Sequence, residues 1–307
     1  MARDARHLRD LLRETFALEG FTCNLNHIDV SKMTGLTGLF KNTKFNGDIS
    51  EWDVSNVRMF SSMFENSPFT GDLSKWNVSS AKSMRAMFKQ SVFDGDISAW
   101  NTSSVQDMAS MFENSLFNGD LSRWNVSNVH TLDRMFCSSK FTKNIDHWDV
   151  SGVRYFTGMF FSAPFVGEIS KWNVRGAIDM SYFFCNSQFN GDISNWNVSS
   201  VQDFSNMFAD SQFSGDLSKW DVSKGVHFHS MFCNSPFNGA IENWRTENAQ
   251  QLGYMFKNAK FAQDLSPWTL NHDVKLLNIF EGNATGLAAQ KMSAPVLAIY
   301  LENNIHI

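Results

Sequence analysis

Acidic side chains recur along the sequence at one fixed spacing, the spacing that separates Asp48 from Asp72. They are Asp48, Asp72, Asp96, Asp120, Glu168, Asp192, Asp216 and Asp264. If each acid lies on its own strand and the strands are neighbours, the carboxylates are about 4.8 Å apart. They then repel one another unless another group offsets their charge. Backbone N–H groups, a neighbouring Lys or Arg, a calcium ion or a basic protein partner are the candidates. We favour relief within the protein and retain this acidic column as a second candidate binding surface.

A second group of residues is aromatic, although the residues at the same spacing elsewhere in the chain are mostly not. Tyr155, Phe161 and Tyr182 stand at positions that elsewhere hold small or polar residues such as Ser83, and Arg154 lies beside them. Exposed aromatic clusters mark contact sites, and Tyr and Arg are enriched in binding hot spots. We call Arg154, Tyr155, Phe161 and Tyr182 the aromatic patch and predict that it contacts a protein partner. Local packing compensation is the alternative.

Other reactive residue types form no recognisable catalytic or metal-binding motif. His227 and His229 are close in sequence, but no cluster of Cys, Asp or Glu accompanies them. Cys137, Cys185 and Cys233 lie two repeats apart, or about 9–10 Å at the spacing of strands, which exceeds the reach of a disulfide. We therefore predict no catalytic residue, no metal, no cofactor and no disulfide.

Composition narrows the class of partner. Apolar residues make up 43% of the chain, which is enough for a continuous core, and the net charge of −5 argues against binding to nucleic acid. No stretch approaches the roughly 20 apolar residues of a membrane-spanning helix, and the N-terminal residues lack the apolar run of a signal peptide. We expect a soluble protein in the cytoplasm, or one exported by a specialised secretion system.

The spacing of the acids belongs to a repeat that runs through most of the chain. All ten Trp, from Trp52 to Trp268, follow one another at the same spacing as the acids. We call a set of positions that share this spacing a column and name it after its member between residues 45 and 68. Columns 45 and 64 are Phe, column 49 is Ile or Leu, and column 63 is mostly Met. A fixed period of this length is typical of solenoid proteins.

Within one repeat the hydrophobic period changes. Residues 45–50 alternate apolar or small with polar residues, which predicts a strand, and Asp53 and Ser55 suit the turn that follows. From Val57 to Phe64 the apolar residues recur at spacings of three and four, which predicts a short helix. Each repeat is therefore predicted to consist of a strand, a turn, a short helix and a second turn.

These repeats predict an α/β repeat fold, a leucine-rich-repeat-like solenoid of about ten 24-residue units with helical caps. We divide one continuous domain into an N-terminal capping helix (1–25), the solenoid (26–282) and a C-terminal capping segment (283–307). The N-terminal helix is expected over residues 3–19, with Leu8 and Leu12 on its apolar face and Gly20 at its end.

The repeated phrases "GDISEWDVSNV" and "MFENS" resemble a family of bacterial surface-protein repeats. Units of about 25 residues of this kind occur in mycoplasma lipoproteins and BspA-like proteins. The resemblance covers roughly residues 26–282 and implies a fold similar to leucine-rich repeats. For some members it also implies a role in adhesion or surface interaction.

We expect a non-catalytic protein-binding scaffold whose outward positions determine specificity. A bacterial effector that acts in a host would be a binding scaffold of the same kind, secreted from the bacterium. The alternative from another class is a β-helix-type carbohydrate-active or carbohydrate-binding protein. We call residues 57–64 and their equivalents the Met–Phe segment. A β-helix would show a hydrophobic period of two there, whereas in this chain the apolar residues recur at spacings of three and four. Circular dichroism is therefore expected to carry a substantial helical signal.

Overall fold

The computed structural model describes residues 4–283, which fall into two compact units, Met1–Gly152 and Val153–Ile307. Apart from residue 283, the predicted C-terminal cap lies outside the described residues. The division into capping helix, solenoid and C-terminal cap within one domain stays a prediction.

The N-terminal helix is observed as α1, Ala5–Glu19. The Asp4 side chain caps its first turn by accepting hydrogen bonds from the backbone N–H groups of Arg6 and His7. Leu8 and Leu12 are buried, as the spacing of apolar residues predicts. Gly20 ends the helix with a φ of 79° and donates its N–H to the Phe16 carbonyl.

The predicted short helix of each repeat is absent from residues 4–283, and that prediction is wrong. The Met–Phe segment forms consecutive tight turns, in which Met63 N–H donates to the Phe60 carbonyl three residues earlier. Ser62 and Asn66 have φ values of 57° and 51°, which a right-handed helix does not accommodate. Each of these turns joins residues three positions apart, which reproduces the apolar spacing of a helix, so the expected helical signal from this segment is wrong too.

Hydrogen bonds between successive repeats run through the same segment. Alternate N–H groups donate to carbonyls in the next repeat, while the N–H groups between them close the turns. In the first compact unit these bonds join Phe60 to Ser83, Ser62 to Arg85, Phe64 to Met87 and Asn66 to Lys89. In the second they join Met180 to Asp203, Tyr182 to Ser205, Phe184 to Met207 and Asn186 to Ala209. Isolated parallel bridges along column 59 accompany this ladder in both units.

The predicted strand at residues 45–50 is also absent, and the described residues contain isolated bridges but no longer strand. The alternation itself is correct, because Phe45 and Ile49 are buried and Asp48 is exposed. In the next repeat, a Cβ atom on Gly71 would lie 2.7 Å from the Phe69 ring. Glycine recurs in this column because the Phe ring two residues earlier occupies the space of a side chain.

The core consists of columns of stacked aromatic rings. In the first compact unit, Phe64 and Phe88 are 5.5 Å apart with an interplanar angle of 4°. Trp100 and Trp124 are 6.3 Å apart at 7°, and each is nearly inaccessible to solvent. The Trp100 indole N–H donates to the Leu73 carbonyl at 3.0 Å, so the ring is buried without leaving its polar atom unpaired. The equivalent bond recurs in the second unit, from Trp196 to the Ile169 carbonyl.

Candidate functional site

The aromatic patch lies entirely in the second compact unit. Tyr155 and Tyr182 are 43% and 42% exposed, high fractions for large aromatic side chains in a repeat whose other rings are buried. Phe161 is half-buried, and its ring centroid lies 6.3 Å from that of Tyr182 at an angle of 59°. Arg154 is exposed, and its backbone carbonyl accepts the N–H groups of Ile178 and Asp179.

The structure brings only part of the patch into direct contact. Phe161 and Tyr182 touch, whereas Tyr155 makes no ring contact with either of them in the described part of the chain. Tyr155 instead forms a parallel bridge with Asp179 in the next repeat. The patch is therefore an exposed pair of tyrosines on adjacent repeats, with Phe161 supporting one of them.

Tyr182 occupies a backbone conformation that bulky residues rarely adopt. Its φ is 58°, in the left-handed region. Other members of column 62 include Asn206 and Asn278, a residue type that tolerates this conformation well. The fold thus requires a left-handed residue here but not an aromatic one, so repeat packing does not account for the tyrosine.

Column 65, to which Phe161 belongs, does not point fully outward. Glu113 has a side chain only 4% exposed, and Cys185 is buried. The tight turns, with a left-handed residue at column 62, direct this column partly inward, where a helix would have kept it on the surface. Phe161 is therefore half-buried because of its column, and the exposed aromatic surface consists mainly of Tyr155 and Tyr182.

The acidic column has a local structural role. The Asp48 Oδ1 atom accepts the backbone N–H of Ser50 at 2.9 Å, and Asp216 accepts that of Ser218 at 2.8 Å. The same bond to the residue two positions later is made by Asp72, Asp96, Asp120, Asp192 and Asp264. This is the Asx turn that Asp favours. Glu168 shares the exposed position but not the described bond.

These turns stabilise the charged form of the carboxylates. The backbone hydrogen bond from Ser218, followed by that from the Ser218 side chain, lowers the pKa of Asp216. Lys219 lowers it further, whereas Asp192 in the neighbouring repeat raises it. Backbone N–H groups and nearby cations therefore supply relief of like-charge repulsion within the protein.

One buried ion cluster in the first compact unit escaped the sequence analysis. Glu113 Oε1 lies 2.7 Å from Arg134 Nη2, and Glu113 Oε2 lies 3.0 Å from Lys89 Nζ. Burial raises the pKa of Glu113, but hydrogen bonds from Arg134, Lys89 and Ser110 lower it to about 2 overall. The alternation of Lys and Glu along column 65 is the feature of the sequence that could have indicated this cluster.

The remaining candidate residues form no site for metal or disulfide chemistry. All four cysteines are free, and burial raises the pKa of the Cys185 thiol to about 12. His229 packs edge-on against Tyr254, while the Nδ1 atom of His227 is buried without a hydrogen-bond partner. Among residues 4–283, no three His, Cys, Asp or Glu side chains are arranged to hold a metal ion.

The periodic ladder, the stacked columns and the recurring turns define a repeat protein. The chain belongs to the family described as "Mycoplasma protein of unknown function, DUF285". That family's model matches it in overlapping segments at residues 10–115, 89–165, 138–235, 161–268 and 183–292. Comparison with curated proteins and with solved structures gave no match. No helix within residues 4–283 has the length and apolar character needed to cross a membrane.

Proposed function

We propose that the chain is a non-catalytic scaffold that binds a protein partner through the aromatic patch. We also propose that the repeats of each compact unit stack as a solenoid. The hydrogen-bond ladder between successive repeats, the parallel bridges along column 59 and the stacked rings support this description within each unit. Tight turns in place of the short helix remove the difference that favoured a leucine-rich-repeat-like solenoid over a β-helix. The resemblance to BspA-like surface proteins supports a role in adhesion or another surface interaction.

The observation that carries the proposal is the exposure of two tyrosines where the repeat needs neither. Tyr182 holds a left-handed conformation that costs a residue with a Cβ atom about 1–2 kcal/mol. Tyr155 occupies a column whose members include Ser83, Asp107 and Gln251. Large, partly exposed aromatic side chains of this kind serve as anchors in protein interfaces. The cost of a tyrosine at residue 182 is understandable if its side chain contributes to binding.

The test is quantitative capture of partners by the full chain carrying Tyr155→Ser and Tyr182→Asn together. Asparagine suits the φ of 58° at residue 182, so the melting temperature is expected to stay the same or rise slightly. Loss of two hot-spot tyrosines is expected to weaken capture by about 2 kcal/mol or more, which is roughly thirtyfold.

A matched control is available in the same compact unit. Gln251→Ser with Tyr254→Asn makes changes in the same two columns, away from the patch. This control is expected to retain capture. Equal capture by both double variants, each with a normal melting curve, would refute the patch as the binding site. Unfolding of the Tyr155 and Tyr182 variant would show that these side chains pack internally.

A further inference from the structure

Two carboxylates beside the aromatic patch have no cationic partner among residues 4–283. Asp179 and Asp203 are consecutive members of column 59 and form a parallel bridge with each other, while Asp179 also bridges to Tyr155. Each Oδ1 atom accepts a backbone N–H at 2.8 Å, from Ser181 and Ser205 respectively. Neither carboxylate makes an ion pair with any residue that the structure describes.

In the first compact unit, acidic side chains in the same segment of the repeat do have Lys or Arg side chains beside them. Asp107, also in column 59, lies 3.7 Å from Arg85. Glu113 is held by Arg134 and Lys89 at 2.7 and 3.0 Å. The lack of such partners at Asp179 and Asp203 is therefore a property of their surroundings and not of the fold.

The two tyrosines of column 62, Tyr182 and Tyr254, also differ in whether a cation lies near the ring. Lys257 Nζ lies 5.1 Å from the centroid of the Tyr254 ring, a cation–π contact across three residues. Tyr182 stands in the same column, and the residue three positions later is Cys185. No described cation lies over the Tyr182 ring, which is 42% exposed. Within the described part of the chain, Tyr254 has a cation over its ring and Tyr182 has none.

We propose that the partner contacts the aromatic patch through a basic segment. Its Lys or Arg side chains would lie over the rings of Tyr155 and Tyr182 and form ion pairs with Asp179 and Asp203. The negative face of an aromatic ring and a carboxylate attract the same cation, and together they favour a basic partner over a neutral one. Arg154, whose backbone carbonyl accepts the N–H of Asp179, has the same charge as this segment and would repel it, so the contact is expected on Tyr155, Tyr182 and the two carboxylates. The inference rests on the proposed protein-binding function and specifies the chemistry of its partner.

The experiment measures binding of a fluorescein-labelled peptide of alternating arginine and glycine to the full chain by fluorescence anisotropy. A peptide with citrulline in place of arginine has nearly the same shape without the charge, and we expect it to bind at least about tenfold more weakly. Asp179→Asn with Asp203→Asn is expected to weaken binding of the arginine peptide by about tenfold or more. Asparagine keeps the oxygen that accepts the Ser N–H, so the melting temperature should change little.

The control removes the same charge elsewhere in the same compact unit. Asp221→Asn with Asp273→Asn lowers the net negative charge equally, at exposed residues outside the acidic column, and is expected to change the affinity by less than about twofold. Equal losses in the two double variants would overturn the inference, because general electrostatic attraction would then explain the binding. Equal affinity for the arginine and citrulline peptides would overturn it as well.

The outcome is separable from that of the proposed function. If Tyr155→Ser with Tyr182→Asn abolishes capture of a protein partner but the arginine peptide does not bind, the scaffold function stands and the basic partner is wrong. If the arginine peptide binds at Asp179 and Asp203 but no captured protein depends on the tyrosines, the proposed function fails instead.

Discussion

Replacement of Glu113 by glutamine is expected to destabilise the first compact unit near neutral pH. The Glu113 side chain is 4% exposed and lies between Arg134 and Lys89. Burial alone would raise the pKa of this carboxyl, but hydrogen bonds from the two cations and from Ser110 bring it down to about 2. The folded state therefore binds the Glu113 proton much more weakly than an unfolded chain does, in which the pKa is near 4.5.

The magnitude follows from this difference in proton affinity. Each tenfold change is worth about 1.4 kcal/mol, so the charged form of Glu113 contributes up to about 3 kcal/mol to the free energy of unfolding. Because the folded pKa is the lower one, this contribution is fully present above about pH 4.5 and is lost as the pH falls toward 2. Arg134 and Lys89 are partly exposed and can be rehydrated, so the cost of Glu113→Gln should not exceed this value.

The assay is urea unfolding of the wild type and Glu113→Gln, followed by tryptophan fluorescence from about pH 7 down to about pH 3. The difference between the two proteins is expected to be largest at neutral pH and to shrink below about pH 4.5. Glu51→Gln is the control, because Glu51 is 65% exposed and only 3.4 Å from Lys75, a surface pair worth about 1 kcal/mol or less. A pH-independent cost, or equal costs for Glu113→Gln and Glu51→Gln, would refute the reasoning.

Three further predictions concern the repeat itself. Trp100→Ala should cost about 3–5 kcal/mol by urea unfolding. Trp100→Phe should cost about 1–3 kcal/mol, because the Leu73 carbonyl loses its indole N–H. A negligible cost of Trp100→Phe would contradict the role given to that bond. Gly71→Ala should cost about 1–3 kcal/mol by the same assay, because its Cβ would lie 2.7 Å from a buried phenylalanine ring, and a neutral result would contradict this. Asp192→Asn with Asp216→Asn should shift the melting temperature by less than about 4 °C, because the Asn side-chain oxygen still accepts the hydrogen bond of the turn. The shift should be the same with and without calcium, and a large calcium-dependent shift would show a metal site instead.

Features that depend on spacing along the chain were predictable from the sequence. Burial of Trp100 and its equivalents followed from a large aromatic residue recurring in every repeat. The bounds of α1 followed from its apolar face and from Gly20. The outward direction of Asp48 followed from simple alternation, although no strand forms there.

Features that depend on backbone conformation were not predictable in the same way. Apolar spacings of three and four fit a helix and a series of tight turns equally well. Only the left-handed φ values at Ser62 and Asn66, together with hydrogen bonds to the next repeat, decide between them. The inward tilt of column 65 follows from those turns, and it explains why Phe161 is less exposed than Tyr155 and Tyr182.

The importance of Asp179 and Asp203 depends on what surrounds them in space. In sequence they are ordinary members of column 59, like Asp107. Only the structure shows that Asp107 has a nearby arginine and that these two have none among the described residues. A pattern of single residues does not contain this information, because the cations that would pair with them come from neighbouring repeats.

The most direct test of the binding surface is photo-cross-linking from inside the aromatic patch. The photoreactive residue p-benzoylphenylalanine replaces Tyr182 in one version of the full chain and Tyr254 in another, so both carry the same group in the same column. Both versions are irradiated with the native extract, and adducts are identified by mass spectrometry. We predict a discrete protein adduct at residue 182, linked through a Lys- or Arg-rich segment, and none at residue 254. The same adducts at both positions, or none at residue 182, would contradict the proposal that this patch binds a protein partner.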